Sequence, residues 1–254
     1  MWYDKDAKVA VTIVDVTSAA QALARGHLSG PTAAHYLTEA LASVALLGGE
    51  MSEADETVIL QAKCSGPLGG YNVECTSAGT LRGYTEKKVL DGFDGLGRPK
   101  DKMVLGDQQI QVTRSVPGKI LSQGISASID GYLAGSLQRK ACLKVEASVS
   151  DEVEVLEARG ILVEDLPDAK GPMVCCRTDD LKSLAVASRN ILKQLGLENA
   201  ELRKTTPLKF ACRCSPDRAA QMLAALGEEE RKSLPPTIDI TCHMCGKTFT
   251  VKTK

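Results

Sequence analysis

Four cysteines near the end of the chain carry the most legible chemistry. They stand as two close pairs, Cys212-Arg213-Cys214 and Cys242-His243-Met244-Cys245. Two such pairs of thiols are the donor set of a tetrahedral zinc site, with thiolates about 2.3 Å from the metal. Gly246-Lys247 follows the CxxC pair, so that turn can aim two sulfurs at one ion while glycine lets backbone N–H groups face them. The CxC pair, on an extended segment, can supply the other two ligands. The same spacing permits redox chemistry. Each pair is close enough in sequence to form its own disulfide, Cys212–Cys214 or Cys242–Cys245, and a bond across CxC closes a tight, easily reduced ring. Oxidation would remove the metal's ligands. Structural zinc contributes roughly 10–16 kcal/mol of apparent binding in small domains, so its loss would unfold this end. Spacing alone favours a structural staple over a switch.

Other candidate sites are weaker. His243 lies inside the CxxC turn and reads as a solvated residue beside four better ligands. His27 and His35 complete the histidine set, and residue types alone identify no Ser/His/Asp triad. Gly246-Lys247-Thr248 resembles the end of a phosphate loop, but position 241 is Thr where that loop requires Gly. Gly66-Pro67-Leu68-Gly69-Gly70 and the glycines of 92–97 read as turns, and Cys175-Cys176 as two ordinary thiols rather than a strained vicinal disulfide.

The elements that must position the cysteines follow from periodicity. Ser215 reads as an N-cap, Pro216 as the first helical residue and Gly227 as the C′ stop. Between them Ala219, Met222, Leu223 and Leu226 form one apolar face. TIDITC and KTFTVK alternate with period two and read as strands of a hairpin turning over at Cys242–Gly246. A piece this small, with few large apolar groups, sits near the size at which a fold needs a metal or disulfide.

Upstream, VAVTIVDV (9–16) reads as a strand, Thr17/Ser18 as the cap of a helix ending at Gly26, and Pro31–Leu47 as a second helix stopped by Gly48-Gly49. TVILQAK alternates from residue 57, and further strands are expected in GPLGGYNVEC, TLRGYTE, MVLGDQQIQVTRS, KILSQGIS and CLKVEASVS, with a helix over Ile129–Arg139. Acid-rich 151–170 reads as a solvated face or loop, broken by Pro167 and Gly171-Pro172. Residues 178–204 are helical in pattern, with an apolar stripe of Leu181, Leu184, Ile191, Leu192 and Leu195 that must lie against something. The expected fold class is α+β: a mainly antiparallel sheet with packed helices over 1–167, a docked helical linker over 168–206, and a small zinc-binding domain with a helix and a hairpin over 207–254.

Composition bounds the function. The chain has 254 residues, 43% hydrophobic and 25% charged, with a formal charge of −1 and 9 aromatic residues (Trp 1, Tyr 5, Phe 3). That near-neutral balance and scarcity of stacking groups argue against a nucleic-acid binder. No apolar run approaches the roughly 18 residues of a membrane helix. Nine cysteines without a secretory signal suggest a reducing compartment. The expected location is cytoplasmic, or organellar after loss of a targeting segment.

The end of the chain resembles the redox-switch domain of the heat-shock protein 33 family. The matching residues are FACRCSPDRAAQMLAALGEEE and IDITCHMCGKTFTV. PTAAHYLTEALASVALLGG, the GPLGG turn, LRGY and GILVEDLP resemble the family's N-terminal domain, so the likeness spans nearly the whole chain. The resemblance implies a chaperone rather than an enzyme. It implies one zinc per chain in the reduced state, held by Cys212, Cys214, Cys242 and Cys245, and a form that is poorly active while the metal is bound. It further implies that oxidants form the two disulfides, release zinc and unfold the switch and linker. The exposed surface then holds unfolding client proteins without nucleotide, and the active form dimerises. The linker stripe is the suspected client surface. The resemblance thus reverses the preference for a plain staple. Two alternatives remain: a structural zinc ribbon that binds nucleic acid or a protein partner, and a CxxC thiol oxidoreductase. The latter usually places CxxC at a helix N-terminus after a strand, whereas here it falls between two strand-like segments.

Overall fold

The computed structural model describes residues 1–95, 99–167, 169 and 173–253, with the backbone alone of Cys176, Glu228 and Lys232. Strands β1 (Trp2–Asp4) and β2 (Val9–Asp15) lead into helices α1 (Thr17–His27) and α2 (Pro31–Leu47). Strands β3 (Thr57–Cys64), β4 (Gly70–Thr76) and β5 (Thr80–Thr85) follow, then a single turn α3 (Asp101–Val104) and the strand pair β6 (Gln108–Val116) and β7 (Lys119–Ser126). The turn α4 (Ile129–Gly131) runs on as a π-turn over Tyr132–Ser136, before β8 (Lys140–Val149) and β9 (Val155–Asp165). Beyond them lie a 3₁₀ turn (Cys175–Asp180), α5 (Ser188–Gln194), β10 (Glu201–Leu202) and β11 (Lys209–Phe210). The chain ends with α6 (Pro216–Ala224), α7 (Glu228–Ser233) and the hairpin β12 (Thr237–Thr241) and β13 (Thr248–Lys252).

These form two large sheets, of order β10-β1-β2-β9-β8 and β11-β5-β4-β3-β6-β7. All pairings are antiparallel except that of β11 on β5. The fold is α+β, as the sequence pattern requires. Period-two alternation gives each sheet an inner face: Val14 and Leu162 from the first, and Val58, Leu60, Val73, Leu81 and Val112 from the second, all buried in one core. Helix α2 lies within that core, and almost every side chain on it is buried, which explains its apolar, weakly amphipathic sequence. Among the described residues no helix is long and apolar enough to cross a membrane.

The first sheet is covered on its outer face as well. Val9, Val11, Ile161 and Val163 meet Leu181, Leu184, Ile191, Leu192 and Leu195, all five of the stripe residues, in a second core. The stripe is docked, but the segment bearing it is not a continuous helix over 178–204. Only Ser188–Gln194 is α-helical, after the 3₁₀ turn. A flat sheet accepts apolar side chains from irregular chain as readily as from a helix.

Several local expectations are corrected. The acidic stretch 151–170 contains β9, a central strand of the first sheet, rather than a solvated face, and Glu164 and Asp165 are buried. Thr17 does not cap α1: Val16 stands there, and the Thr17 hydroxyl accepts the Ala158 N–H instead. Residues 129–139 give one α-turn and a π-turn, not a full helix. Gly227 does not end α6; it precedes α7 and donates its N–H to Glu230 Oε2 at 3.0 Å. Met222 and Leu226 are exposed, so the buried face of α6 is Ala219 and Leu223 alone. Gly97, Asp168, Lys170, Gly171-Pro172 and the Cys176 thiol lie outside the described residues.

Candidate metal centre

The CxC and CxxC pairs meet at the edge of the second sheet. Strand β11 adds to the free edge of β5 and delivers Cys212 and Cys214 just beyond it. The hairpin delivers the other two. Cys242 N–H donates to the Lys247 carbonyl at 2.8 Å, and the N–H groups of Cys245 and Gly246 donate to the Cys242 carbonyl at 3.3 and 2.9 Å. That turn needs φ +73° at Gly246, which only glycine adopts without strain. Ser215 accepts from Arg218 N–H at 3.2 Å and starts α6 immediately after the CxC pair.

The four sulfurs lie within 4.8 Å of one another. Cys212 Sγ is 3.8 Å from Cys242 Sγ, and Cys214 Sγ is 3.5 Å from Cys245 Sγ. A tetrahedron with metal–sulfur bonds of about 2.3 Å has edges of about 3.8 Å, so the cluster has the dimensions to hold one metal ion. All four cysteines named from the sequence are therefore brought together. His243 is exposed and does not join them; its ring packs against Tyr84 with centroids 4.8 Å apart. The CxxC pair lies between β12 and β13 and not at a helix N-terminus, the position that activates an oxidoreductase thiol.

Residues to which the sequence gave no such role hold this centre against the body. Arg82 on β5 donates to Cys212 Sγ at 3.7 Å and pairs with Glu74 at 2.5 Å. Arg213, between the two CxC thiols, reaches the same carboxylate at 3.2 Å. Burial pushes the Cys212 thiol up, but the Cys214 N–H, the Arg82 guanidinium and the neighbouring thiols outweigh it and bring it down to about 7. Burial raises Cys214 and Cys245. Gly83 N–H donates to the Met244 carbonyl at 3.1 Å, and His27 Nε2 donates to the Gly83 carbonyl at 2.8 Å. Gly26 and Gly246 touch backbone to backbone. A Cβ on Gly26 would fall 2.7 Å from the Cys245 carbonyl oxygen, and one on Gly246 would fall 2.0 Å from that of Gly26. Cys245 belongs to the main core, and the other three cysteines pack against it. No local signal marks Arg82, and Gly26 reads only as a helix stop, although α1 runs on to His27; the roles of both depend on contacts far along the chain.

A family model described as "Hsp33 protein" matches residues 2–252. The chain belongs to the Hsp33 family. Curated relatives include a "33 kDa chaperonin" of Thermus thermophilus, 26% identical over 94% of this chain and 79% of the relative. Another "33 kDa chaperonin", from Oceanobacillus iheyensis, is 24% identical over 95% of this chain and 91% of the relative. The fold matches the crystal structure of a 33 kDa chaperonin, a heat shock protein 33 homologue, from Thermotoga maritima. The TM-score is 0.86 at 19% identity, covering 99% of this chain and 93% of that one. The chain is thus a member of a chaperone family with a four-cysteine cluster compatible with zinc binding and disulfide formation.

Proposed function

We propose that this protein is a redox-regulated, nucleotide-independent holdase. Reduced, it binds one zinc through Cys212, Cys214, Cys242 and Cys245 and holds clients poorly. Oxidation joins Cys212 to Cys214 and Cys242 to Cys245, releases zinc and frees the end of the chain. The observation that carries this reading is the placement of a four-thiol centre directly on the main core, where it clamps the segment following the docked linker. The donor set fits zinc: all thiol, with tetrahedral spacing and Arg82 to offset thiolate charge. Bound zinc would supply folding free energy rather than a reaction step. On this reading 1–167 is the chaperone core, 168–206 the linker and 207–254 the switch. Release would uncover Leu181, Leu184, Ile191, Leu192 and Leu195 together with the sheet face beneath them. A newly exposed apolar patch of this kind binds unfolding proteins and favours self-association into a dimer.

The test is light scattering of a denaturant-unfolded client, with metal content and free thiols followed in parallel. Zinc-bound reduced protein should do little. Peroxide-treated protein should suppress scattering as zinc leaves and four thiols are lost, and reductant should reverse the gain. Equal protection by both forms would leave a chaperone without a switch, and protection by neither would overturn the reading.

A further inference from the structure

Three charged side chains tie the metal centre to the second sheet, and their charges do not balance among themselves. Glu74 on β4 and Arg82 on β5 stand directly across from each other in register. Glu74 Oε1 accepts from Arg82 Nε at 2.5 Å and from Arg213 Nη2 at 3.2 Å, so one carboxylate serves two guanidiniums. Arg82 Nη1 donates to Cys212 Sγ at 3.7 Å, which puts a sulfur where the second counter-charge is needed. Glu74 and Arg82 are largely withdrawn from solvent, their side chains 9% and 17% exposed, whereas that of Arg213 is 61% exposed. Water therefore screens excess charge at Arg213 but not at Arg82. The backbone on either side of Arg82 holds both halves of the centre. The Leu81 carbonyl accepts the Ala211 N–H at 3.2 Å, and the Gly83 N–H donates to the Met244 carbonyl at 3.1 Å.

We infer that Glu74, Arg82 and Arg213 form a charge clamp that makes docking of the cysteine-bearing end on the second sheet depend on the reduced, anionic state of the centre. The clamp deepens the function proposed above and rests on it. Four thiolates around a divalent ion keep negative charge in excess. Arg82 and Arg213 face that excess, and Glu74 orients Arg82 toward it. Forming each disulfide takes two electrons from two thiolates. An S–S bond forms and the O–O bond of a hydroperoxide breaks. With two protons the oxidant leaves as water and an alcohol, or as two waters from hydrogen peroxide. The disulfides are neutral and no longer bind the ion. The docked cluster is then left with two guanidiniums and one carboxylate, an uncompensated charge in a half-buried place. Undocking removes the imbalance, because Arg213 leaves with the CxC segment while Glu74 and Arg82 remain as a matched pair on the body. Docking and the anionic centre therefore stabilise each other by the same factor.

The experiment measures the zinc affinity of reduced full-length protein by competition with a chromogenic chelator, and amide exchange at Gly83 and Ala211 before and after hydrogen peroxide. Arg82→Gln should bind zinc about 10- to 100-fold more weakly, the usual range for a group that orients a ligand. Arg213→Gln should shift affinity the same way by a smaller factor. Glu74→Gln keeps an acceptor for Arg82 but removes a negative charge beside the centre, and should bind zinc several-fold more tightly. Packing damage would weaken both partners of this pair, so shifts of Arg82→Gln and Glu74→Gln in the same direction would overturn the clamp. Where Arg82→Gln does not fold, Arg213→Gln and Glu74→Gln carry the same test, and the clamp requires them to shift in opposite directions. Arg213→Gln leaves the oxidised, docked cluster balanced, so peroxide should accelerate exchange at Gly83 and Ala211 several-fold less than in the parent. Equal acceleration would refute the coupling. A parent chain that takes up no zinc would overturn the clamp together with the proposed metal site. Opposite shifts in a protein whose oxidised form holds no client would refute the holdase reading and leave the clamp standing.

Discussion

Replacing Gly26 by alanine sets two effects of opposite sign against each other. Gly26 lies in the last turn of α1, where alanine is the better helix former by about 1 kcal/mol. Its added Cβ would meet the Cys245 carbonyl oxygen at 2.7 Å. Neither atom is at the end of a flexible side chain, and the Cys245 backbone is fixed by the turn bonds to Cys242 and Lys247. The hairpin must therefore retreat from the body. Retreat breaks the Gly83–Met244 hydrogen bond, about 1 kcal/mol, and in metal-loaded protein, where one ion would tie Cys212 to the hairpin's cysteines, it draws Cys212 away from Arg82, about 1.5–3 kcal/mol for a charged pair. Docking should weaken by roughly 2–4 kcal/mol, or about 30- to 1,000-fold, since about 1.4 kcal/mol is tenfold. The body, with a better α1, should melt at the same temperature or slightly higher. The assay pairs calorimetry of reduced, metal-loaded protein with the rate at which a chelator strips the metal. Faster stripping with an unchanged or raised melting temperature is expected. Stripping at the parent rate, or a body that melts earlier, would refute the idea that this backbone contact seats the metal centre.

Three further outcomes are expected. Leu192→Ala deletes a fully buried linker side chain and should weaken linker docking by about 2–5 kcal/mol, read as faster cleavage within 181–200 while residues 1–150 remain intact. Glu164 is raised from 4.5 to about 7 by burial and by the neighbouring Glu50. The folded protein therefore keeps a proton that the unfolded chain releases. That contribution is complete below about pH 4.5 and is lost as pH rises through about 7. Glu164→Gln should flatten the fall in stability between pH 5 and 8, and an unchanged slope in denaturant titrations would count against it. Ser215→Ala removes the α6 cap and should cost about 1 kcal/mol, seen as faster amide exchange in Pro216–Ala224 with the sheets unaffected.

Where the signal is local, the sequence was readable. Ser215-Pro216 starts α6, Gly246 closes the CxxC turn, and the alternation of Ile238, Ile240, Phe249 and Val251 builds the hairpin. The clustering of Cys212, Cys214, Cys242 and Cys245 needed only their spacing to be expected. The misses have nonlocal causes. Strand β9 carries Glu157, Arg159, Glu164 and Asp165, which read as solvent-facing until their partners are known. Arg159 pairs with Asp15 at 3.0 Å, Glu164 meets Arg139 at 3.4 Å, and Asp165 accepts two linker N–H groups. Gly227 looks like a C′ glycine, but the acidic run after it begins another helix and Glu230 takes its N–H. The leucines of 178–204 showed correctly that the segment is covered. Their spacing could not show that a sheet face, rather than a helix groove, covers them. Strands β10 and β11 have two residues each and exist only because an edge is waiting for them.

On the proposed function, those two short strands explain how a bound metal would govern a linker that it does not touch. The linker's apolar residues sit on the outer face of the first sheet, and the cysteines sit at the edge of the second. The chain passes between them through β10, paired with β1, and β11, paired with β5. Around these it is held by scattered hydrogen bonds: Arg203 and Lys204 N–H to the Met1 carbonyl at 2.9 and 3.3 Å, the Met1 ammonium to the Lys204 carbonyl at 2.7 Å, Lys204 Nζ to the Met51 carbonyl at 2.8 Å, and the N–H groups of Lys209 and Ala211 to the Gly79 and Leu81 carbonyls at 3.0 and 3.2 Å. Each contributes about 1–3 kcal/mol, less than the roughly 10–16 kcal/mol of a structural zinc site. A bound metal therefore dominates the retention of β11, and β11 fixes the distance over which β10 must reach. Removing the metal leaves a row of weak contacts that can open in sequence toward the linker, while the core around α2 keeps its own packing. On that reading the order of release would follow from where the strong interaction sits, at the far end of a weakly held strap.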